Sequence, residues 1–183
     1  AYDHAAHHHP ENPVAKSGRA EVLKALGRFD DALAAYDQAA RQHPENVVVK
    51  NGRAEVLKTM GRFEEALAAY EEIARRRPGD AFAKTGRAEA LKALGRLDDA
   101  LAVYDYAVRQ HPENAFAKTG RAEVLKALGR FDDALAAYDE VAKQHAENLV
   151  VKTGRSGVLK ALGRFEEALA VCDAVIAQQP ENG

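Results

Sequence analysis

The sequence predicts an all-α chain of stacked helix–turn–helix units, and three observations carry that prediction. The first is a fixed period. Residues 86–101, GRAEALKALGRLDDAL, have near-copies beginning at Gly18, Gly52, Gly120 and Gly154, each start 34 residues from the next. An unbroken period of this length marks an array in which each unit contacts its neighbours, not a domain with one central core. The second is apolar spacing at the helical period inside every copy. The third is punctuation: a glycine divides each unit, and a Pro-Glu-Asn turn or a close variant ends it.

Taken in order, residues 1–12 match only the last third of a unit, YDHAAHHHPEN against YDQAARQHPEN. The chain therefore opens in the middle of a helix, as expected of a fragment of a longer array. Full units are expected over 13–46, 47–80, 81–114, 115–148 and 149–183. In the fourth, a first helix over 115–128 places Ala117, Val124, Leu125 and Leu128 on one stripe. Gly129 follows, where a helix C-terminus favours the left-handed conformation. A second helix over 131–144 turns Phe131, Ala134, Leu135, Tyr138 and Val141 to its apolar side, with Asp132 and Asp133 in the first turn and Lys143 in the last. The same acid pair recurs in every unit, so helix-end electrostatics explains it better than a repeated acid–base dyad. Asn46, Asp80, Asn114 and Asn148 are N-caps for the helices that follow them. Pro13 suits the first position of its helix.

These residues resemble the tetratricopeptide repeat, whose pattern is W-x₂-L-G-x₂-Y, then A-x₃-F, then P. In the third unit Ala100, Tyr104 and Pro112 stand for the alanine, the aromatic and the proline. The first half departs: Lys84, Arg87, Ala88 and Leu91 replace Trp, Leu, Gly and Tyr. The resemblance covers essentially the whole chain and implies a right-handed superhelix, an α-solenoid. The departures ask for physical reasons. Arg19, Arg53, Arg87, Arg121 and Arg155 fall near the middle of the apolar stripe of their first helices, where a buried guanidinium needs its stem packed and its head paired. Carboxylates of neighbouring second helices, such as Asp37, Glu71, Asp105 and Asp139, are expected to supply it.

The resemblance also implies that the other face of each first helix lines a concave, ligand-holding side. That face carries Val14, Val48, Phe82, Phe116 and Val150, then Ser17, Asn51, Thr85, Thr119 and Thr153. Next come Glu21, Glu55, Glu89 and Glu123, and then Lys24, Lys58, Lys92, Lys126 and Lys160. Stacked, these sets form apolar, polar, acidic and basic ladders able to hold a peptide around apolar anchors. For single Glu and Lys residues, a solvated face with local i,i+3 pairing is the competing reading. Glycines 18, 52, 86, 120 and 154 are expected to keep the groove wall low. Some family members grip an acidic C-terminus with Lys, Asn and Arg; the matching positions here hold Ser, Asn or Thr, then Gly and Glu, and the glutamates oppose that use. Other members line the groove with asparagines to serve a glycosyltransferase; those positions are glycines here.

With 26 basic and 28 acidic residues and a net charge of −2, the composition gives no pull towards nucleic acid or an anionic membrane. No apolar run is long enough to span a bilayer, and no signal peptide is visible. The single cysteine, Cys172, rules out an intrachain disulfide and points to the cytoplasm. It stands where the other units carry an aromatic, and reads as a small packing residue. His4 and His8 fall at i,i+4, with His7 and His9 beside them, which suits adventitious metal uptake more than a physiological site. His43, His111 and His145 are too far apart to share an ion and sit at helix C-termini. Arg75, Arg76 and Arg77 read as a partner of the helix dipole. No nucleophile elbow, phosphate loop or zinc motif occurs.

The sequence thus predicts a non-catalytic scaffold, without cofactor or metal, that binds a protein or peptide segment through the first-helix face. The alternatives are a substrate-recruiting segment of a larger enzyme such as a glycosyltransferase, and a self-assembly module. For the last, Val171, Val175 and Ile176 of the final helix, expected over 165–178, form an uncovered face suited to weak homodimerisation.

Overall fold

The computed structural model describes residues 13–177. Among them ten helices follow one another without a strand: α1 Pro13–Ala25, α2 Phe29–Gln42, α3 Val47–Thr59, α4 Phe63–Arg76, α5 Ala81–Ala93, α6 Leu97–Gln110, α7 Ala115–Ala127, α8 Phe131–Ala142, α9 Leu149–Ala161 and α10 Phe165–Ile176. The chain forms two compact units, Ala1–Gly95 and Arg96–Gly183. In the first, consecutive helices α1 to α5 pack on each other, and α1, α3 and α5 lie side by side. The second repeats this with α6 to α10, bringing α7 beside α9.

Local chemistry sets each helix boundary. The side chain of Asn46 accepts from the backbone N–H groups of Val48 and Val49, and Asn148 from those of Val150 and Val151. Asp80 and Asn114 accept from Ala83 and Ala117. Each such cap stabilises its helix by about 1 kcal/mol. Between paired helices Gly129 takes φ +74°, and Gly27, Gly61, Gly95 and Gly163 match it. The arginine after each glycine has no acceptor with which to cap the second helix. It binds the second acid of that helix instead: Arg28–Asp31, Arg62–Glu65, Arg96–Asp99, Arg130–Asp133 and Arg164–Glu167 pair at 2.6–2.9 Å. α8 ends at Ala142, so Lys143 caps it and does not lie in its last turn.

Small residues bring the helices close. In the first unit Ala20, Ala32, Ala54, Ala66 and Ala83 are fully buried around Tyr36, Leu57 and Tyr70. The arginine pairs form as expected: Arg53–Asp37 at 2.6 Å, Arg87–Glu71 at 3.3 Å, Arg121–Asp105 and Arg155–Asp139 both at 2.5 Å. These arginines are half-exposed, however, not buried. Their stems cover the apolar stripe while the guanidinium reaches its edge, the cheaper arrangement for a charge. Arg19 is exposed, and the second helix expected to face it lies outside the described residues. The deeper charge is Lys118, only 8% exposed and held by Glu140 at 2.6 Å. That hydrogen bond keeps the Glu140 carboxyl below its ordinary range.

Candidate functional site

In the first unit the side-by-side helices α1, α3 and α5 wall a cavity of about 630 Å³ lined by Ser17, Glu21, Lys24, Val48, Asn51, Glu55 and Phe82, with Tyr36 behind them. Phe82 is 52% exposed, and its ring lies 6.4 Å from that of buried Tyr70 at a tilt of 56°. Val48 is exposed beside it, so the apolar row in this unit is open to a partner. The side chain of Val14 falls outside the described residues.

The glycines of the first helices have a different role from the one expected. A Cβ on Gly52 would stand 2.4 Å from the ring of Tyr36, and one on Gly86 would stand 2.2 Å from the ring of Tyr70. Gly120 and Gly154 meet Tyr104 and Tyr138 at 2.4 Å in the second unit. Each glycine therefore receives a tyrosine from the preceding second helix, and a ring fills the space that a low wall would have left open. Gly18 and Gly52 still line the first cavity.

Those tyrosines also decide what the acidic row does. The hydroxyl of Tyr36 donates to Glu21, and that of Tyr70 donates to Glu55 at 2.9 Å. Lys24 pairs with Glu21 at 2.7 Å, while Lys58 pairs with Glu55 at 2.9 Å and also with Glu89 of the next first helix. Burial works against the Glu21 charge, yet the Lys24 and Tyr36 hydrogen bonds outweigh it and hold the carboxyl low. Burial likewise opposes the Lys58 charge, and its two glutamates overcome that and raise the ammonium. Burial, with Glu21 or Glu55 beside it, pushes the Tyr36 and Tyr70 hydroxyls well above their usual value. The polar floor is thus largely satisfied from within.

The hydroxyl and amide row is occupied in part, and the buried Oδ1 of Asn51 has no hydrogen-bond partner. Ser17 is buried, and Asn51 donates from Nδ2 to Asp80 at 3.3 Å. Thr119 and Thr153 donate to the carbonyls of Ala115 and Leu149 at 2.8 Å, turned back on their own helices. Thr85 is half-buried on α5, the helix that also carries Glu89 and Lys92. In the second unit Phe116 and Val150 are exposed, and Glu123 and Lys126 follow on α7. Tyr138 is fully buried, its hydroxyl without a hydrogen-bond partner; burial, then the Glu123 charge, push it up to about 12.

The last helix pair differs from the others. Val171 and Val175 are half-buried, and Cys172 is exposed, not a packing residue. The open stripe runs instead through Phe165 at 61%, Leu169 at 62% and Ile176 at 68% exposed. Helical spacing sets this: residues 165, 169, 172 and 176 share one face of α10, and the two valines turn towards its flank. Thr153, Lys160, Phe165, Leu169, Cys172 and Ile176 border a cavity of about 580 Å³. Among the described residues no group of three or more His, Cys, Asp or Glu side chains is placed to hold a metal. His4, His7, His8 and His9 lie outside them. No described helix is long and apolar enough to cross a membrane.

Tetratricopeptide repeat models match residues 1–47, 17–81 and 51–115, and a second such model matches 91–155 and 125–183. None of the curated proteins compared with the chain matches it. Among solved structures, the tetratricopeptide protein TTC0263 of Thermus thermophilus is 24% identical, with a TM-score of 0.80 over 93% of each chain. A tetratricopeptide repeat protein of Parabacteroides merdae reaches 0.85 at 19% identity, over 98% of this chain and 71% of its own. YrrB, described as having an unusual peptide-binding site, reaches 0.67 at 21% identity, over 100% of this chain and 94% of its own.

Proposed function

This chain belongs to the tetratricopeptide repeat family, and from that premise we propose that it is a non-catalytic scaffold holding a protein segment against its first helices. The units over 13–46, 47–80, 81–114, 115–148 and 149–183 are its building blocks in this reading. One observation carries it: the cavity along α1, α3 and α5 exposes Val48 and Phe82 beside polar groups already bonded to one another. A volume of about 630 Å³ lies within the usual range of ligand clefts. The partner chemistry follows from the bonding. With Glu21 and Glu55 held by lysines and tyrosines, the first unit has little net charge to offer, so a neutral segment with an apolar anchor suits it best. YrrB, similar in fold, has a peptide-binding site, which supports the reading.

The test starts from a partner captured on the immobilised chain, identified by mass spectrometry and then titrated as a purified segment. Phe82→Glu with Phe116→Glu is expected to weaken binding at least about tenfold, the weight of a central aromatic anchor. Helicity by circular dichroism should stay unchanged. Full affinity in the double variant would move the site to another surface.

A further inference from the structure

The last helix pair departs from its counterparts at three facing positions. Where α1, α3, α5 and α7 carry Ala-Glu at 20–21, 54–55, 88–89 and 122–123, α9 carries Ser156 and Gly157. Where α2, α4, α6 and α8 carry Tyr36, Tyr70, Tyr104 and Tyr138, α10 carries Cys172. The changes match one another. Tyrosine and glutamate are hydrogen-bond partners in the first unit, so losing both leaves no orphaned group. Ser156 Oγ then lies 3.1 Å from Cys172 Sγ. The open cavity of about 580 Å³ lies where this larger pair would stand.

That glutamate has a second task elsewhere, because Glu89 takes the ammonium of Lys58 from the first helix before it. The corresponding lysine in the second unit is Lys126, and residue 157 has no carboxylate to give it. The Lys126 ammonium lies 4.0 Å from where a Cβ on Gly157 would stand. Lys160 follows Gly157 by three residues, as Lys58 follows Glu55, and lines the same cavity. Neither Lys126 nor Lys160 makes a side-chain hydrogen bond or ion pair among the described residues. The Lys126 ammonium therefore approaches a place that a carboxylate occupies in the first unit, Lys160 stands about one turn further along α9, and an exposed apolar stripe adjoins it.

We infer that this cavity binds a partner protein's segment in which an aspartate or glutamate stands beside apolar side chains. The carboxylate takes the place left at residue 157, between Lys126 and Lys160. The apolar side chains cover Phe165, Leu169, Cys172 and Ile176. Charge complementarity selects this occupant over a purely apolar one, since the unpaired ammonium groups gain a partner only from an acid. The site differs from the first-unit cavity and does not rest on the function proposed for it. Its lysines also lie outside the family's acidic-terminus grip, whose positions here hold Ser, Asn or Thr, then Gly and Glu.

The probes are four fluorescein-labelled amphipathic peptides, with leucines three and four apart and one glutamate moved through a helical turn, and their glutamine twins. Anisotropy titration of the whole chain at low salt should show at least one glutamate peptide binding about fivefold tighter than its twin, the effect of two exposed charge pairs. The preference should vanish in 1 M salt and in Lys126→Met with Lys160→Met. Gly157→Glu, which only the tip of Lys126 approaches within 4 Å, should also abolish it by supplying the chain's own carboxylate. Equal binding of every twin pair, no binding by any peptide, or a preference that survives Gly157→Glu in a folded variant would overturn the inference. So would a dimer in sedimentation that blocks all the peptides and is unaffected by Gly157→Glu, since a second copy would then own the face.

Discussion

A single hydrogen atom in place of a side chain holds each tyrosine joint together. Gly86 is helical and buried, and in most helices alanine there would gain about 1 kcal/mol of propensity. Here the added methyl meets the Tyr70 ring at 2.2 Å, and that ring is fully buried and has nowhere to retreat. Gly86→Ala is therefore expected to destabilise the chain by roughly 1–3 kcal/mol in urea denaturation, the cost of overpacking. The tyrosines set an alkaline limit as well. Tyr138 titrates near 12 in the folded chain against about 10 when unfolded, so the protonated phenol favours the fold. Its contribution is complete below pH ~10 and is lost as pH rises through the folded value. The melting temperature should fall across that window, in step with late tyrosine ionisation followed at 295 nm.

At the scale of the element, the caps and the one deeply placed lysine can be tested separately. Asn114→Ala removes the acceptor for the Ala117 N–H and should cost about 1 kcal/mol with α7 otherwise intact, read from chemical denaturation. The Lys118–Glu140 contact ties α7 to α8. The Glu140 carboxyl is depressed, so its contribution is present above pH ~4.5 and is lost as pH falls through the folded value. An acid titration of Glu140→Gln should accordingly lack part of the wild-type transition. The helices and their caps were legible in the sequence because both arise from neighbours within a few residues. The tyrosine–glycine joint was not, since Tyr70 and Gly86 meet only once two helices have packed, and their spacing of 16 residues carries no local signature. The linked change at Ser156, Gly157 and Cys172 did leave a trace, as simultaneous departures from the period. Its meaning needed the Tyr–Glu bond of the first two pairs to be seen. The arginines were read too deep because apolar spacing alone does not tell the middle of a stripe from its edge.

For the whole molecule, helix packing and ion pairs are the cohesive forces seen among the described residues, so EDTA is expected to leave the melting temperature unchanged. A drop of several degrees would point back to the histidines near the N-terminus. The joints of the first unit also share one geometry. Removing residues 47–80 would splice Asn46 onto Ala81, so that Gly86 receives Tyr36 and Glu89 receives Lys24, each a pairing of the kind it already makes. The shortened chain should keep the helicity per residue of the parent by circular dichroism, and a collapse of the signal would show that the joints are not equivalent.

The tyrosine–glycine joint therefore acts as a standard coupling, and its uniformity reaches into the gene. Duplicating or deleting a whole 34-residue block at any interior joint leaves every ring with a glycine to receive it. Array length can thus drift in whole blocks by unequal recombination, with no compensating mutation needed. The block carrying Ser156, Gly157 and Cys172 is not interchangeable in this way, because a following block would bring its glycine to a ring that is no longer there.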